Sequence, residues 1–255
     1  MLSFKDIKYL EKNKKARDVQ GLFVEEGERL FREIPPELIE QVLVTRAFAA
    51  EHPGILEGIP ARVPVQADID EARFFSISDT KTPQGILAVV RQKKWKYEEV
   101  TGVACPLYLI LENMQDPGNA GTVMRTGEAA GVTAVFFTEG SVDLYSPKTI
   151  RSTMGSVFRV PHFRVSDAPS LLKDLEARGT ATYAAHIGGR GAYTEYDYRG
   201  AAAFVIGNEG NGITDETAAA AGQLIRIPMM GRVESLNAAM AAGILMYEAL
   251  RQRRI

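Results

Sequence analysis

The sequence predicts an α/β protein made of two units with a linker between them, and three observations carry that expectation. Short apolar runs suited to strands alternate with helical runs across residues 22–91, the pattern of a small α/β layer with its own core. Both periodicities stop at residues 92–99, Gln-Lys-Lys-Trp-Lys-Tyr-Glu-Glu, and a new apolar strand begins only at Leu107. Beyond it, strand-like runs end in turns rich in glycine and asparagine and lead into helices, as in open α/β sheets whose ligands sit outside the carboxyl ends of the strands. The expected division is residues 1–92, a linker over 93–106 and a larger unit over 107–255.

At 255 residues, with 45% apolar and 24% charged side chains, the chain can fill packed cores and lacks the bias of a disordered protein. Its net charge of −2 gives no bulk attraction to a polyanion, so a nucleic-acid site has to be a local patch. A single cysteine, Cys105, excludes an intramolecular disulfide and a multi-cysteine zinc site; between Val103 and Leu107 it is expected to be buried. His52, His162 and His186 have no partners at metal-ligand spacing, and no order of serine, histidine and aspartate suggests covalent catalysis. Residues 1–17 carry lysines throughout and no apolar core of signal-peptide length, so the expected compartment is the cytoplasm.

In chain order, residues 3–17 read as one helix with an apolar stripe of Phe4, Ile7 and Leu10 and a basic stripe of Lys5, Lys8, Lys12 and Lys15. The basic stripe is either a solvated face or a phosphate-contacting one. Strand and helix then alternate as 22–24 and 28–33, 41–45 and 47–51, followed by a helix over 70–76 and a strand over 86–91. Trp95 and Tyr97 lie between lysines, where they could stack on bases or pack on the nearest domain. Residues 107–111 form a buried strand that leads into the turn Asp116-Pro117-Gly118, with Asn119 suited to cap the next helix. Arg125, two turns into that helix, can reach back toward Asn113 and grasp phosphate, or can pair with Glu128 on its own helix. A strand over 135–137 follows, then a helix over 145–155 with Pro147 in its first turn and a basic spot of Lys148 and Arg151. Residues 158–165 read as a strand, 169–177 as a helix and 182–185 as a strand.

The last stretch is the most informative. An apolar strand over 204–206 breaks into Gly207-Asn208-Glu209-Gly210-Asn211-Gly212, glycines that let backbone lie against something bound. The spacing is neither the dinucleotide fingerprint nor the phosphate loop of NTPases. A short strand over 224–227 leads to Pro228 and to Ser235-Leu236-Asn237, which opens a helix that carries no charge from Leu236 to Tyr247. Too short to cross a bilayer, that helix has to bury its surface in its own core or against a second copy of the chain.

Together, Asn113-x-x-Asp116-Pro117-Gly118-Asn119-x-Gly121-x-x-x-Arg125-Thr126, the loop from Ile206 to Ile213, and Ile227-Pro228-Met229 followed by Ser235-Leu236-Asn237 resemble the three motifs of the SpoU-type RNA ribose 2′-O-methyltransferases, of the SPOUT class. Ser146-Pro147-Lys148 and Arg151-Ser152 resemble the segment between the first two motifs. The first hundred or so residues resemble the family's auxiliary RNA-binding domain, an α/β unit similar to a ribosomal protein, which begins near Gly21-Leu22-Phe23-Val24. The resemblance implies a mostly parallel sheet closed by a deep trefoil knot, S-adenosylmethionine as methyl donor, no metal, and a homodimer formed through the carboxyl-terminal domain. It implies cofactor contacts from Gly207, Ile227, Leu236, Ala185 and Met229, and a catalytic pocket of Asn113, Arg125, Glu209, Ser235 and Asn237. RNA is the implied substrate, ribosomal RNA first, with Lys5, Lys8, Lys12, Lys15, Lys148 and Arg151 meeting phosphates. A tRNA-directed enzyme and a silent RNA-binding scaffold stay open. The chain departs from the family pattern at Gly127, where alanine is usual, and at Ala238-Ala239, where the family has Val-Ser.

Overall fold

A computed structural model describes residues 1–254. It divides into two compact units, residues 1–94 with 143–158, and residues 95–142 with 159–255.

The first unit opens with two helices where the sequence suggests one. α1 (Phe4–Lys12) and α2 (Lys14–Gln20) meet at Asn13, which ends the first in an extended conformation and caps the second, its side chain accepting from the Ala16 N–H at 3.2 Å. Asparagine competes with helical backbone for hydrogen bonds, and that local option wins here. Ile7 and Leu10 are fully buried, as the apolar stripe requires. β1 (Leu22–Glu26), α3 (Glu28–Phe31), β2 (Ile39–Thr45), α4 (Arg46–Glu51), β3 (Val65–Ile69), α5 (Glu71–Ile77) and β4 (Ile86–Arg91) complete the layer. The strand order is β1-β4-β2-β3; β2 and β3 run parallel and the other pairs antiparallel. β3, Val-Gln-Ala-Asp-Ile, is an edge strand without a buried run, which is why its sequence gives little sign of it.

The second unit contains α6 (Tyr97–Thr101), β5 (Leu107–Leu111), α7 (Pro117–Ala130) and β6 (Ala134–Thr138). After these the chain contributes α8 (Pro147–Thr153) to the first unit, and it resumes here with β7 (His162–Val165), α9 (Ala168–Ala177), β8 (Ala181–Ala185), β9 (Gly191–Ala192), β10 (Ala202–Ile206), α10 (Asp215–Ala220), β11 (Gln223–Arg226) and α11 (Ala238–Arg253). Seven strands lie in the order β7-β6-β5-β10-β8-β11-β9, and every pairing is parallel. Their buried runs read as continuous apolar stretches, as a sheet covered on both faces demands. α9 and α10 pack together, as do α7 and α11. The strand expected over 158–165 shrinks to β7, because Phe158 belongs to a 3-10 turn. β9 and α10 escape a periodicity reading by being two and six residues long.

Three further expectations meet correction or choice. Cys105 is exposed, not buried, at a φ of +50° in the turn before β5. Tyr97 packs on its own unit, its hydroxyl donating to Asp174 at 2.5 Å and its ring set edge-on to Phe136 and Phe163, which favours packing over base stacking. α11 buries Ala238, Ala239, Ala242, Leu245, Met246 and Ala249 but leaves Met240 61% and Tyr247 50% exposed, so its own unit covers one face only. No helix among the described residues is long and apolar enough to cross a membrane.

In the first unit, residues 143–158 lie against β1 and α2. The ring of Phe23 meets those of Tyr145 and Phe158 at 5.0 and 6.2 Å, and Arg17, almost fully buried, donates to Asp143 through Nε at 2.9 Å and Nη2 at 2.6 Å.

Candidate active site

The site assembles at the carboxyl ends of β5 and β10 and grows outward from one carboxylate. Glu112, the residue after β5, is buried and accepts from the Thr214 N–H and hydroxyl, both at 2.9 Å, and from the Thr217 hydroxyl at 2.6 Å. Its own N–H donates to the Ile206 carbonyl at 2.9 Å. One residue thus fastens both ends of the loop 207–213.

Within that loop the backbone of Asn208 pairs with Gly212 in both directions at 2.9 Å, and the Asn208 side-chain oxygen accepts from the N–H groups of Gly210 and Asn211 at 2.8 and 3.1 Å. The Asn208 amide donates to the Asn113 carbonyl at 2.9 Å. Position 207 admits only glycine, since a Cβ would lie 2.1 Å from the carbonyl carbon of Gly212.

Glu209 reaches from the loop to the start of α7. Its carboxylate accepts from Asn119 Nδ2 at 2.9 Å and from the N–H groups of Gln115 and Asp116 at 3.3 and 3.4 Å. Burial is the largest single influence on its pKa and pushes it up. Hydrogen bonds from Asn119, its own backbone, Gln115 and Asp116 together outweigh burial and hold the group below its ordinary value. It therefore stays ionised and is a poor proton acceptor.

Asn119 completes the junction. Its oxygen accepts from Asn237 Nδ2 at 2.9 Å, while Asn237 Oδ1 caps α11 by accepting from Ala239 and Met240 at 2.9 and 3.2 Å. A single amide ties the turn after β5, the loop after β10 and the start of α11. The sequence suggests Asn119 as the cap of α7; the cap is Asp116, whose Oδ1 accepts from the Asn119 N–H at 2.8 Å. The signal for this was Pro117, a residue favoured at the first helical position, which moves the cap one residue ahead of it.

The other candidate residues take varied places. Asn113 sits in the left-handed region at φ +53°, its N–H donating to the Thr138 hydroxyl at 2.9 Å, so its carbonyl, rather than its side chain, faces the loop. Arg125 is exposed on α7 and makes no hydrogen bond or ion pair among the described residues, and Glu128 is engaged by Arg159. Ser235 is exposed. Gly207, Ala185 and Ile227 stand at the ends of β10, β8 and β11, which are neighbours in the sheet, and Ile227, Met229 and Leu236 are half-buried. In the first unit Lys5, Lys12 and Lys15 are exposed, Lys8 donates to the Ser76 carbonyl at 2.6 Å, Lys148 is exposed, and Arg151 pairs with Asp79 at 3.0 Å.

Comparison with known proteins matches residues 106–247 to the SpoU rRNA Methylase family and residues 3–88 to the MRM3-like substrate binding domain. The chain belongs to the SpoU methylase family. Among relatives, a Bacillus subtilis protein named 23S rRNA (guanosine(2553)-2'-O)-methyltransferase RlmP is 34% identical over 95% of this chain and 94% of its own. A structure described as a putative RNA methyltransferase of the TrmH family from Porphyromonas gingivalis superposes with a TM-score of 0.83 at 31% identity, covering 100% of this chain and 99% of that one. An AdoMet-bound rRNA methyltransferase from Sinorhizobium meliloti gives 0.80 at 30% identity over 97% and 94%.

The turns at these strand ends fit a nucleoside cofactor. Gly207 packs backbone to backbone on Gly212, and a Cβ on Gly189 would lie 2.6 Å from the carbonyl carbon of Ile225, so two turns close tightly at adjacent strand ends. Between these turns and α11, the backbone of residues 228–236 makes no hydrogen bond among the described residues, which leaves its donors and acceptors available to a ligand.

Proposed function

We propose that this protein is an S-adenosylmethionine-dependent methyltransferase that modifies a ribose 2′-OH of ribosomal RNA. The observation that carries the reading is the Asn119 junction, which sets Glu209 and Asn237 in one hydrogen-bonded group at the strand ends that bear Gly207, Ala185 and Ile227. When bound, the cofactor supplies an electrophilic methyl group on a sulfonium. The protein's share is to place the 2′-oxygen in line with it and to exclude competing geometries.

Glu209, locked by three donors, fixes the turn 115–119 and does not take the proton. Asn237 presents its amide through Asn119, and Ser235 adds a hydroxyl at the mouth of the same loop. The role of Arg125 is to hold a phosphate next to the reacting ribose and to stabilise the alkoxide as it develops. An incubation of the purified protein with labelled cofactor and either a 23S rRNA fragment or tRNA, read by mapping of ribose methylation, tests the reading. Methylation of the rRNA is expected; methylation of tRNA alone, or the absence of cofactor binding by calorimetry, would replace it. Arg125→Ala is expected to bind cofactor and to lose about 100-fold or more in turnover.

The same reading includes a homodimer. Met240 and Tyr247, seven residues apart on α11, form one exposed apolar face that a second copy would cover. It includes also the trefoil knot of the carboxyl-terminal domain, supported by the insertion of β11 between β8 and β9 after β10 has paired with the other side of β8.

A further inference from the structure

The arginines of the second unit divide into two groups. Arg159 engages Glu128, Arg178 engages Asp174, Arg199 engages Asp197 and Arg251 engages Glu248. Arg164 and Arg253 spend their guanidinium groups on backbone carbonyls, such as Val142 at 2.8 Å and Gly200 at 2.6 Å. Arg190, Arg226 and Arg232 are exposed, and their guanidinium groups make no hydrogen bond or ion pair among the described residues. Arg190 in the turn between β8 and β9 and Arg226 as the last residue of β11 lie at one edge of the sheet, and Arg232 lies in the loop from β11 to α11. Ala185 and Ile227 stand at the ends of β8 and β11, and Met229 and Ser235 belong to the loop that carries Arg232.

The geometry holds two of these charges together. Gly189 lies against the backbone of Ile225 and Arg226, where a Cβ would come within 2.6 to 2.9 Å, so the turn that carries Arg190 is seated on the end of β11. The parallel pairing of Ile225 with Gly191 and Arg226 with Ala192 sets the register of the two strands at this point. Ile187, Met230 and Val233, in the segments that carry the arginines, are exposed as well. The carboxylates in the same segments, Glu195 and Glu234, form no ion pair with any of the three. An exposed arginine is unremarkable singly. What distinguishes these is that elsewhere in the unit, Arg125 and Arg254 apart, arginines are committed, while here the turn at Gly189 brings two open guanidinium-bearing residues together and the following loop carries a third, in a chain of net charge −2.

We propose that Arg190, Arg226 and Arg232 form a phosphate-binding rim on the catalytic unit that grips the RNA backbone flanking the target nucleotide. The proposal rests on the functional reading above and extends it. The guanidinium fork donates to two phosphate oxygens at once, and the exposed alkyl side chains of the same segments pack on sugar and base faces without reading sequence. Affinity from this rim is ionic and therefore sensitive to salt.

The test uses the full-length protein. Binding of a 23S rRNA fragment is measured over a series of salt concentrations for the wild type, for Arg190→Gln/Arg226→Gln/Arg232→Gln, for the matching triple lysine variant, and for Arg199→Gln as a control from the paired group. Cofactor affinity by calorimetry and the thermal midpoint are followed alongside. The triple glutamine variant is expected to keep its fold and its cofactor affinity, to lose about 100-fold in RNA affinity, and to lower the slope of log K against log salt by about one for each arginine removed. The lysine variant should recover most of the slope, and Arg199→Gln should resemble wild type. If wild type methylates RNA while the triple variant matches Arg199→Gln in affinity and slope, the rim is overturned and the functional reading stands. If the triple variant loses cofactor as strongly as RNA, the arginines shape the loops instead, and the rim is again overturned. Failure of the wild type itself to bind cofactor would sink the functional reading and the rim with it.

Discussion

Two side chains decide the site at the level of single residues. Asn119 is the only group that bonds both Glu209 and Asn237 among the described residues, and an aspartate in its place would set a second carboxylate 2.9 Å or so from Glu209. Asn119→Asp is expected to lower turnover about 100-fold or more with the fold intact, checked by single-turnover methylation beside a circular dichroism spectrum. Glu112 is buried and satisfies three donors across the sheet. Glu112→Gln loses acceptor capacity there, should cost about 1–3 kcal/mol in denaturant titration, and should weaken cofactor binding, because the loop that contains Gly207 is fastened at both ends by that residue. The pattern of glycine and asparagine in the sequence reveals the loop, but not its attachment: Glu112 precedes the recognisable motif, and a buried carboxylate after a strand carries no periodic signal. Asn113, prominent in the same motif, offers its carbonyl to the Asn208 amide, a contact that no side-chain reading would suggest.

Among the elements, helices depart most from their sequence patterns, and for local reasons. Asn13 splits a helix that the lysine and apolar stripes make look continuous, so Lys15 stands on a separate helix from Lys5, Lys8 and Lys12. In α7, Gly127 is buried where α11 crosses, and a Cβ there would meet Val132 at 3.5 Å and Met246 at 3.8 Å, ordinary contact distances. Gly127→Ala should therefore stabilise the protein by up to about 1 kcal/mol, seen as a raised midpoint in urea. α11 reads as a helix that buries nearly all of its surface in its own core or against a second copy, and its own unit buries only one face; the composition of a helix tells how much apolar surface must be covered, not what covers it. If a second copy does, Met240→Glu/Tyr247→Glu should convert a dimer to a monomer in sedimentation equilibrium, with the monomer still folded. A variant that sediments like wild type would remove that face from consideration.

For the molecule as a whole, pH and topology are the variables to follow. Burial, reinforced by Asp79 and Glu26 and opposed by Arg151 and Lys12, raises Glu11 from 4.5 to about 8 in the folded first unit. Burial, with Glu33, also drives Glu25 well above its ordinary value. A carboxyl whose folded pKa lies above its unfolded one keeps its proton in the native state while the unfolded chain releases it. The contribution of Glu11 to stability is thus fully present below 4.5 and is lost as pH rises to about 8. Glu11→Gln should flatten that fall, measured as the difference between urea midpoints near pH 4.5 and near pH 8. By itself the sequence determined the α/β class, the run of buried strands, the glycine- and asparagine-rich loops and the family they belong to, because hydrophobic period, glycine placement and motif spacing are local properties of the chain. Only the tertiary structure decided that residues 143–158 pack in the first unit, that Asn119 joins three distant segments, and that the turn of Arg190 is seated on the end of β11 at Arg226. Those facts depend on the order in which strands lie side by side, and strand order is set by long-range pairing that no stretch of sequence encodes alone.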